Sequence, residues 1–216
     1  MKIMFLLIMF ACIFQVSCSA PPEQGRSDRE VVPVDETPIL NRPVPAYELD
    51  AFHNDEITRV NLARYRGKWL ILFFYPGDFT FVCPTELKEL ADYYPEFKKF
   101  GAEVLSISTD SVYAHRAWRG QSKSLAQVSY PMLSDRNGRL SRRLGVYDHR
   151  TGAALRASFV VNPEGVIVAC EIHSDAIGRS ADELLRKLSA AAAVRREAGG
   201  YCPAGWKQGD VLIRSR

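Results

Sequence analysis

Much of what organises other functional classes is missing from these 216 residues. There is no CxxC pair, and the four histidines (53, 115, 149 and 173) fall into no HxH or HExxH spacing, so no metal site is indicated. No Gly-rich phosphate loop and no Gly-x-Ser-x-Gly elbow occurs, which leaves nucleotide binding and serine hydrolysis without support. Neither sign of charge predominates. With 28 basic against 25 acidic side chains the net charge is +3, too small and too scattered to argue for nucleic acid. Five cysteines in a chain of this length are not a disulfide scaffold and have to be read one by one. The longest apolar run, residues 3–14, reaches about 18 Å as a helix, short of the roughly 30 Å of a bilayer core. What is present, 47% hydrophobic and 25% charged residues, is the composition of an ordinary globular domain.

The short apolar run follows Lys2 and ends near the small residues Ser17, Cys18, Ser19 and Ala20, the layout of a secretory signal. Cys18 stands where a bacterial lipoprotein signal places its lipidated cysteine, although Gln15 replaces the usual aliphatic residue. Residues 1–18 are therefore expected to be an export leader to the periplasm or another extracytoplasmic space, with a lipid anchor at Cys18 as the only membrane attachment. The alternative is a mis-called start and a cytoplasmic protein. Residues 19–38 hold four prolines, seven charges and no aromatic residue. Such a segment cannot bury enough apolar area to offset its ordering entropy, so it reads as a linker. One domain is expected over residues 39–216, with 25 basic and 20 acidic groups.

Within that domain strands and helices alternate. Residues 69–75 (WLILFFY) form a continuous apolar run between Gly67 and Pro76-Gly77, which suits a central strand covered on both faces. Residues 84–100 place Leu87, Leu90, Ala91, Tyr94 and Phe97 near helical spacing, with Gly101 as the stop. A second buried strand at 104–108, a helix at 111–118 and a short helix at 135–144 follow. Residues 159–161 and 166–173 flank Asn162-Pro163-Glu164-Gly165 and read as an antiparallel hairpin. Ser180 opens a last helix through residue 194, with Asp182 and Glu183 at the positive end of its dipole. The fold class expected is α/β, thioredoxin-like, with a mixed central sheet flanked by helices.

One stretch carries chemistry: residues 76–86, PGDFTFVCPTE. Cys83 ends a loop and Pro84 is favoured in the first turn of a helix, so the sulfur lies near unpaired N–H groups at that helix's N-terminus. Those dipoles favour a thiolate, a nucleophile at neutral pH. Thr80, three residues earlier, can offer a hydroxyl to the sulfur and to an incoming oxygen atom. From these residues alone a buried, inert cysteine is an equal alternative, because free cysteine is usually a small hydrophobe.

The stretch resembles the active-site motif of the peroxiredoxins, Pro-x-x-x-Thr-x-x-Cys with a Pro-Thr-Glu continuation, here Pro76, Thr80, Cys83, Pro84, Thr85 and Glu86. The resemblance extends through Ala-Trp at 117–118, YPMLSD at 130–135, LRASFVVN at 155–162, IGRS at 177–180 and YCPAGWK at 201–207. It is nearest to the typical two-cysteine class that includes the bacterial alkyl hydroperoxide reductases. The resemblance implies a thiol peroxidase acting on hydrogen peroxide and organic hydroperoxides, with no cofactor beyond its cysteines. Cys83 then matches the peroxidatic cysteine, Thr80 the threonine that positions sulfur and peroxide, and Arg156 the arginine that stabilises charge developing on the oxygen. Pro76 matches the proline walling the pocket, and Glu86 and Arg179 the pair that orders the surrounding hydrogen bonds. Cys202 matches the resolving cysteine, which attacks the sulfenic acid of the partner subunit and leaves a disulfide for a thioredoxin-like or dedicated reductase. A homodimer by edge pairing of the 166–173 strand, and a decameric ring beyond it, are implied in the same way.

Cys170 reads as a core position, sharing a side of its strand with Val166, Val168 and Ile172. Two departures from the family pattern matter. Overoxidation-sensitive eukaryotic members share a Gly-Gly-Leu-Gly insertion and a C-terminal Tyr-Phe helix, whereas here residues 119–130 hold only Gly120 and the sequence ends at Arg216 without Tyr-Phe. Quick resolution of the sulfenate is the expectation. The leader is unusual for a mostly cytosolic family and leaves the reductant open. A chaperone-like oligomer switched by peroxide and a general disulfide oxidoreductase are the competing readings; the latter lacks a second cysteine near Cys83.

Overall fold

The computed structural model describes residues 38–214. The expected leader, and all but the last residue of the expected linker, lie outside the described residues. The described chain opens with a hairpin that hydrophobic periodicity does not reveal. β1 (Glu48–His53) and β2 (Glu56–Asn61) pair antiparallel across Asn54 and Asp55, both left-handed with φ of 51° and 64°. Asn and Asp tolerate that backbone, and two successive positive φ values give the twist of a two-residue hairpin turn. Only Val60 of β2 is buried, so its alternation is too thin to read.

β3 (Trp69–Phe74) is buried at every position, as its unbroken apolar run requires. After it come α1 (Cys83–Lys99), β4 (Ala102–Ser108), α2 (Val112–Gln121), β5 (Met132–Ser134) and α3 (Arg139–Arg143). A small hairpin, β6 (Tyr147–Asp148) with β7 (Ala153–Ala154), leads into β8 (Arg156–Val161), β9 (Ile167–His173) and α4 (Ala181–Arg196). The described chain closes with β10 (Gly200–Tyr201) paired to β11 (Ile213–Arg214). The main sheet has the order β2-β1-β5-β4-β3-β8-β9. Its centre, β5-β4-β3, is parallel, and β1, β8 and β9 join antiparallel, so the sheet is mixed as expected.

β3 divides the interior by its two-residue repeat. Trp69, Ile71 and Phe73 pack with Leu87, Leu90 and Phe97 of α1 and with Leu184 and Leu188 of α4. Leu70, Leu72 and Phe74 turn the other way, onto Phe159, Leu140 and Leu144. Each such side chain contributes about 1.5–3 kcal/mol by leaving water, and together they hold β3 and the base of α1 fixed beneath the Cys83 loop.

Two local expectations need correction. The helix expected at 135–144 spans only Arg139–Arg143. Asp135, fully buried, stays outside it and accepts from Leu140 N (3.1 Å) and Ser141 N (2.7 Å), so its carboxylate caps the turn. In the β8-β9 hairpin Val160 faces Ala169 and Val161 faces Ile167, which leaves Val168 as a bulge. Cys170 is half-buried against the Leu72 side, while Val168 packs on the α1 side, so the two do not share a face. The extra residue resets the alternation that the sequence implied.

β9 ends the sheet. Its beginning is bridged by the entering chain, through Asn41 N to Ile167 O (2.8 Å) and Ile167 N to Arg42 O (3.0 Å). Among the described residues no helix is long and apolar enough to cross a membrane.

Candidate active site

Cys83 is the first residue of α1 and has no exposure to solvent. Pro84 sits in the first turn, where its missing N–H costs nothing, and Thr85 N and Glu86 N both reach back to Val82 O (3.0 and 3.2 Å). Helix, strand and loop therefore converge on one sulfur. Arg156, the first residue of β8, comes from across the sheet and sets its Nη1 3.3 Å from Cys83 Sγ. The same Nη1 donates to Glu86 Oε2 at 2.8 Å.

Glu86 is shared by two arginines. Its Oε1 accepts from the backbone N (2.8 Å) and Nε (2.9 Å) of Arg179, and its Oε2 accepts from Arg179 Nη2 (3.0 Å) as well as from Arg156. Arg179 also donates to Ser158 Oγ at 3.2 Å and lies 3.5 Å over the Phe73 ring. Burial pushes the Glu86 carboxyl up, but the hydrogen bonds and charge of Arg179, then the charge of Arg156, outweigh it and hold the group below its ordinary value. Burial lowers Arg156, yet the adjacent Cys83 and Glu86 raise it above the usual arginine value. For Arg179 burial prevails over its Glu86 bonds and the net shift is downward. Two guanidiniums and one carboxylate leave this buried cluster one positive charge in surplus, and that surplus faces Cys83.

A fourth partner was not legible in the sequence. Asp175 accepts from Arg156 Nε through its backbone carbonyl (2.7 Å) and from Nη2 through its carboxylate (3.3 Å). It steers the guanidinium from the side away from the sulfur. Its carboxylate is 79% exposed, so water screens its charge while the geometry of the two bonds remains. The only sequence signal was its place four residues before Arg179.

The loop ahead of Cys83 is anchored from below. Tyr75 OH donates to Asp78 Oδ1 (2.8 Å), His115 Nδ1 lies 2.7 Å from Asp78 Oδ2, and Asp78 N donates to Asp110 Oδ2 (2.8 Å). Burial, then the Asp78 charge and hydrogen bond, push the Tyr75 phenol well above its ordinary value, so it stays a donor. This grip holds Phe79 at φ 55°, an unusual backbone for a bulky residue. Phe81 is left 96% exposed. Pro76 is half-buried at the start of this loop. Thr80 lies on it too, and its hydroxyl donates to Gly77 O at 2.9 Å, so the proton is committed to the backbone and the oxygen lone pairs remain as acceptors.

The structure thus brings Cys83, Glu86, Arg156 and Arg179 into direct contact and puts Pro76 and Thr80 on the adjoining loop. It does not bring Cys202 to them. Cys202 follows β10, its Sγ lies 3.6 Å from Ala190 O of α4, and it packs against a small cluster of Ala193, Trp206 and Leu212. Burial pushes the Cys202 thiol up, and the nearby Arg186 only partly offsets this. Cys83, Cys170 and Cys202 are all free thiols.

Comparison with known proteins finds relatives over most of the chain. The profile of the AhpC/TSA family matches residues 40–170. Alkyl hydroperoxide reductase C of Salmonella typhimurium is 42% identical over 175 residues, covering 81% of this chain and 94% of that protein. The protein of the same name from Bacillus subtilis is 40% identical with the same coverage. Among solved structures, AhpC of Enterococcus faecalis superposes with a TM-score of 0.75 at 45% identity, covering 77% of this chain and all of that one. The reduced 2-Cys peroxiredoxin of Plasmodium vivax superposes with a TM-score of 0.78 at 31% identity, covering 82% and 93%.

Proposed function

The chain belongs to the AhpC/TSA family and is a thiol-dependent peroxidase of the peroxiredoxin type, and we propose that Cys83 is its peroxide-attacking residue. The observation that carries this assignment is the 3.3 Å approach of Arg156 Nη1 to Cys83 Sγ at the first turn of α1. The positive surplus of the Arg156–Glu86–Arg179 cluster is balanced when the sulfur is a thiolate. That thiolate attacks the terminal oxygen of a hydroperoxide, the O–O bond breaks, and Cys83 becomes a sulfenic acid. The alkoxide or hydroxide that leaves takes up a proton and departs as alcohol or water. Arg156 helps most at the transition state, where charge is shared between the buried sulfur and both oxygens. Thr80, its proton already given to Gly77 O, receives the O–H of the incoming peroxide and aligns it. Pro76 walls the pocket, and Glu86 with Arg179 holds Arg156 in position.

Cys202 of a second subunit then attacks the Cys83 sulfenic acid, forming a disulfide and releasing water. Because Cys202 packs against its own α4, resolution requires the first turn of α1 and the C-terminal segment both to move. A homodimer joined along the free edge of β9 supplies the second subunit, and five such dimers form a ring. A thioredoxin-like or dedicated dithiol reductase returns the disulfide to two thiols. The leader at 1–18 directs export, with Cys18 as a lipid-anchor position.

The test is full-length protein treated with stoichiometric hydrogen peroxide, a non-reducing gel and peptide mass mapping. A dimer linked Cys83–Cys202, absent in Cys202→Ser, is the expected result. A monomer with an internal disulfide would remove the intersubunit step and keep the peroxidase. No peroxide-dependent oxidation of Cys83 would end the assignment of that residue.

Residues 119–130 contain no Gly-Gly-Leu-Gly and instead complete α2 and form a single tight turn at Lys123–Leu125. With less structure to restrain unwinding at Cys83, resolution outpaces a second oxidation. At a modest excess of peroxide, with reductant cycling, mass spectra should show the disulfide in large majority. Abundant Cys83 sulfinic acid under those conditions would contradict this.

A further inference from the structure

The net charge of +3 hides a local concentration. Residues 136–150 hold five arginines and one acid, Asp148. Arg139, Arg142 and Arg143 stand at i, i+3 and i+4 of α3 and share one face, with Leu140 and Ser141 buried behind it. Arg136 flanks the face from the preceding turn, and all five arginines are exposed. Two of them are held over aromatic rings. The Arg139 guanidinium lies 5.0 Å over the Tyr47 ring and that of Arg142 lies 3.9 Å over Tyr147, whose ring meets His149 edge-on at 5.0 Å. Arg142 also donates to Asn137 O.

The neighbouring acids are already engaged. Asp135 is buried and spent on the backbone of Leu140 and Ser141, and Asp148 pairs with Arg150 at 3.1 Å. Glu48 and Asp50, across a cleft from Arg136, both reach Arg59, at 3.1 and 3.3 Å. Arg136, Arg139 and Arg142 therefore present a group of forked cations to solvent on and beside α3, and no residue of the Cys83 cluster takes part in it.

We propose that this face docks the protein onto anionic phospholipid headgroups. Guanidinium groups pair with phosphate oxygens two at a time, and a row of them on one exposed face suits a surface rather than a single small ligand. The sequence also favours a lipid surface over another polyanion. Residues 3–14 and Cys18 read as a membrane-directed leader, which brings the chain to a lipid surface. A basic patch adds electrostatic attraction to anionic headgroups on that surface. This last step rests on the export reading of the leader; the charge of the α3 face does not.

The test compares full-length protein with an Arg136→Gln/Arg139→Gln/Arg142→Gln variant. Each is sedimented with vesicles of phosphatidylcholine alone or mixed with phosphatidylglycerol. Each basic residue near an anionic surface contributes about 1 kcal/mol, roughly five-fold. The variant should therefore bind the anionic vesicles roughly 100-fold more weakly, and both proteins should bind neutral vesicles alike. The difference should vanish near about 0.5 M salt. Peroxide consumption by the variant should match the wild type, which shows that it is folded. Equal anionic-vesicle binding by the two proteins, or a difference that survives high salt, would overturn the proposal. Tighter binding to double-stranded DNA than to anionic vesicles at equal phosphate concentration would overturn it in favour of nucleic acid.

Discussion

An Arg156→Gln protein is expected to react with hydrogen peroxide about 10²–10³-fold more slowly in kcat/KM, the cost of removing one preorganised donor from a site of developing negative charge. The size of the effect follows from how the guanidinium is spent. Nη1 bridges Cys83 Sγ and Glu86 Oε2, while Nε and Nη2 are fixed by Asp175. Glutamine can reach one of these partners and carries no charge. Arg156→Lys keeps the charge but loses the fork, so most of the loss should persist. Stopped-flow measurement of the second-order rate constant checks this, with a thermal melt to confirm folding. A rate within about three-fold of wild type for a folded Arg156→Gln protein would remove Arg156 from the chemistry and leave it a structural ion-pair partner.

The second large effect falls on stability. Glu86→Gln should destabilise the protein by about 3–5 kcal/mol, because breaking the buried ion pair leaves Arg179 without its carboxylate partner and Arg156 with only the exposed carboxylate of Asp175 and the sulfur of Cys83 beside it. The carboxylate accepts four hydrogen bonds from these two residues, and an amide oriented to accept some of them must turn its NH2 toward the others. In a domain of this size the loss corresponds to a fall in Tm of roughly 10 °C. The pH dependence follows from the direction of the Glu86 shift. Its folded-state pKa lies below the ordinary value of 4.5, so its contribution is fully present above that value and is lost as pH falls through the lower, folded value. The Tm difference between wild type and Glu86→Gln should therefore be large at pH 7 and shrink below about pH 4.5. A difference of less than about 2 °C at neutral pH, or one that grows on acidification, would be incompatible with a carboxylate held in its ionised form by two arginines.

Where the information was local, the sequence was enough. The apolar run at 69–75 holds a buried strand because nothing in it could face water, and Pro84 after Cys83 suits the opening of a helix because the N–H it lacks would be unpaired in the first turn anyway. The same locality put Cys83 at a helix N-terminus before any contact was known. It left open whether that cysteine was reactive or inert, and only the family motif tipped the choice. The β1-β2 hairpin is not legible in the sequence despite its Asn54-Asp55 turn, because an outer strand with one buried residue has little periodicity to show. The Val168 bulge was invisible for a related reason: one extra residue in a hairpin inverts every later side chain without changing composition.

By itself, then, the sequence determined the alternation of strands and helices and the position of the sulfur, since both depend on neighbours a few residues away. Tertiary structure alone decided what surrounds that sulfur. Arg156 lies 73 residues from Cys83, and Arg179 lies 93 residues from the carboxylate they share. Such meetings are set by strand order and register across the sheet, which no local spacing records. It also decided that Asp175 holds the arginine, that the Thr80 proton goes to Gly77 and that Cys202 rests on α4. Each of these depends on where a loop comes to lie once the two faces of β3 have been covered.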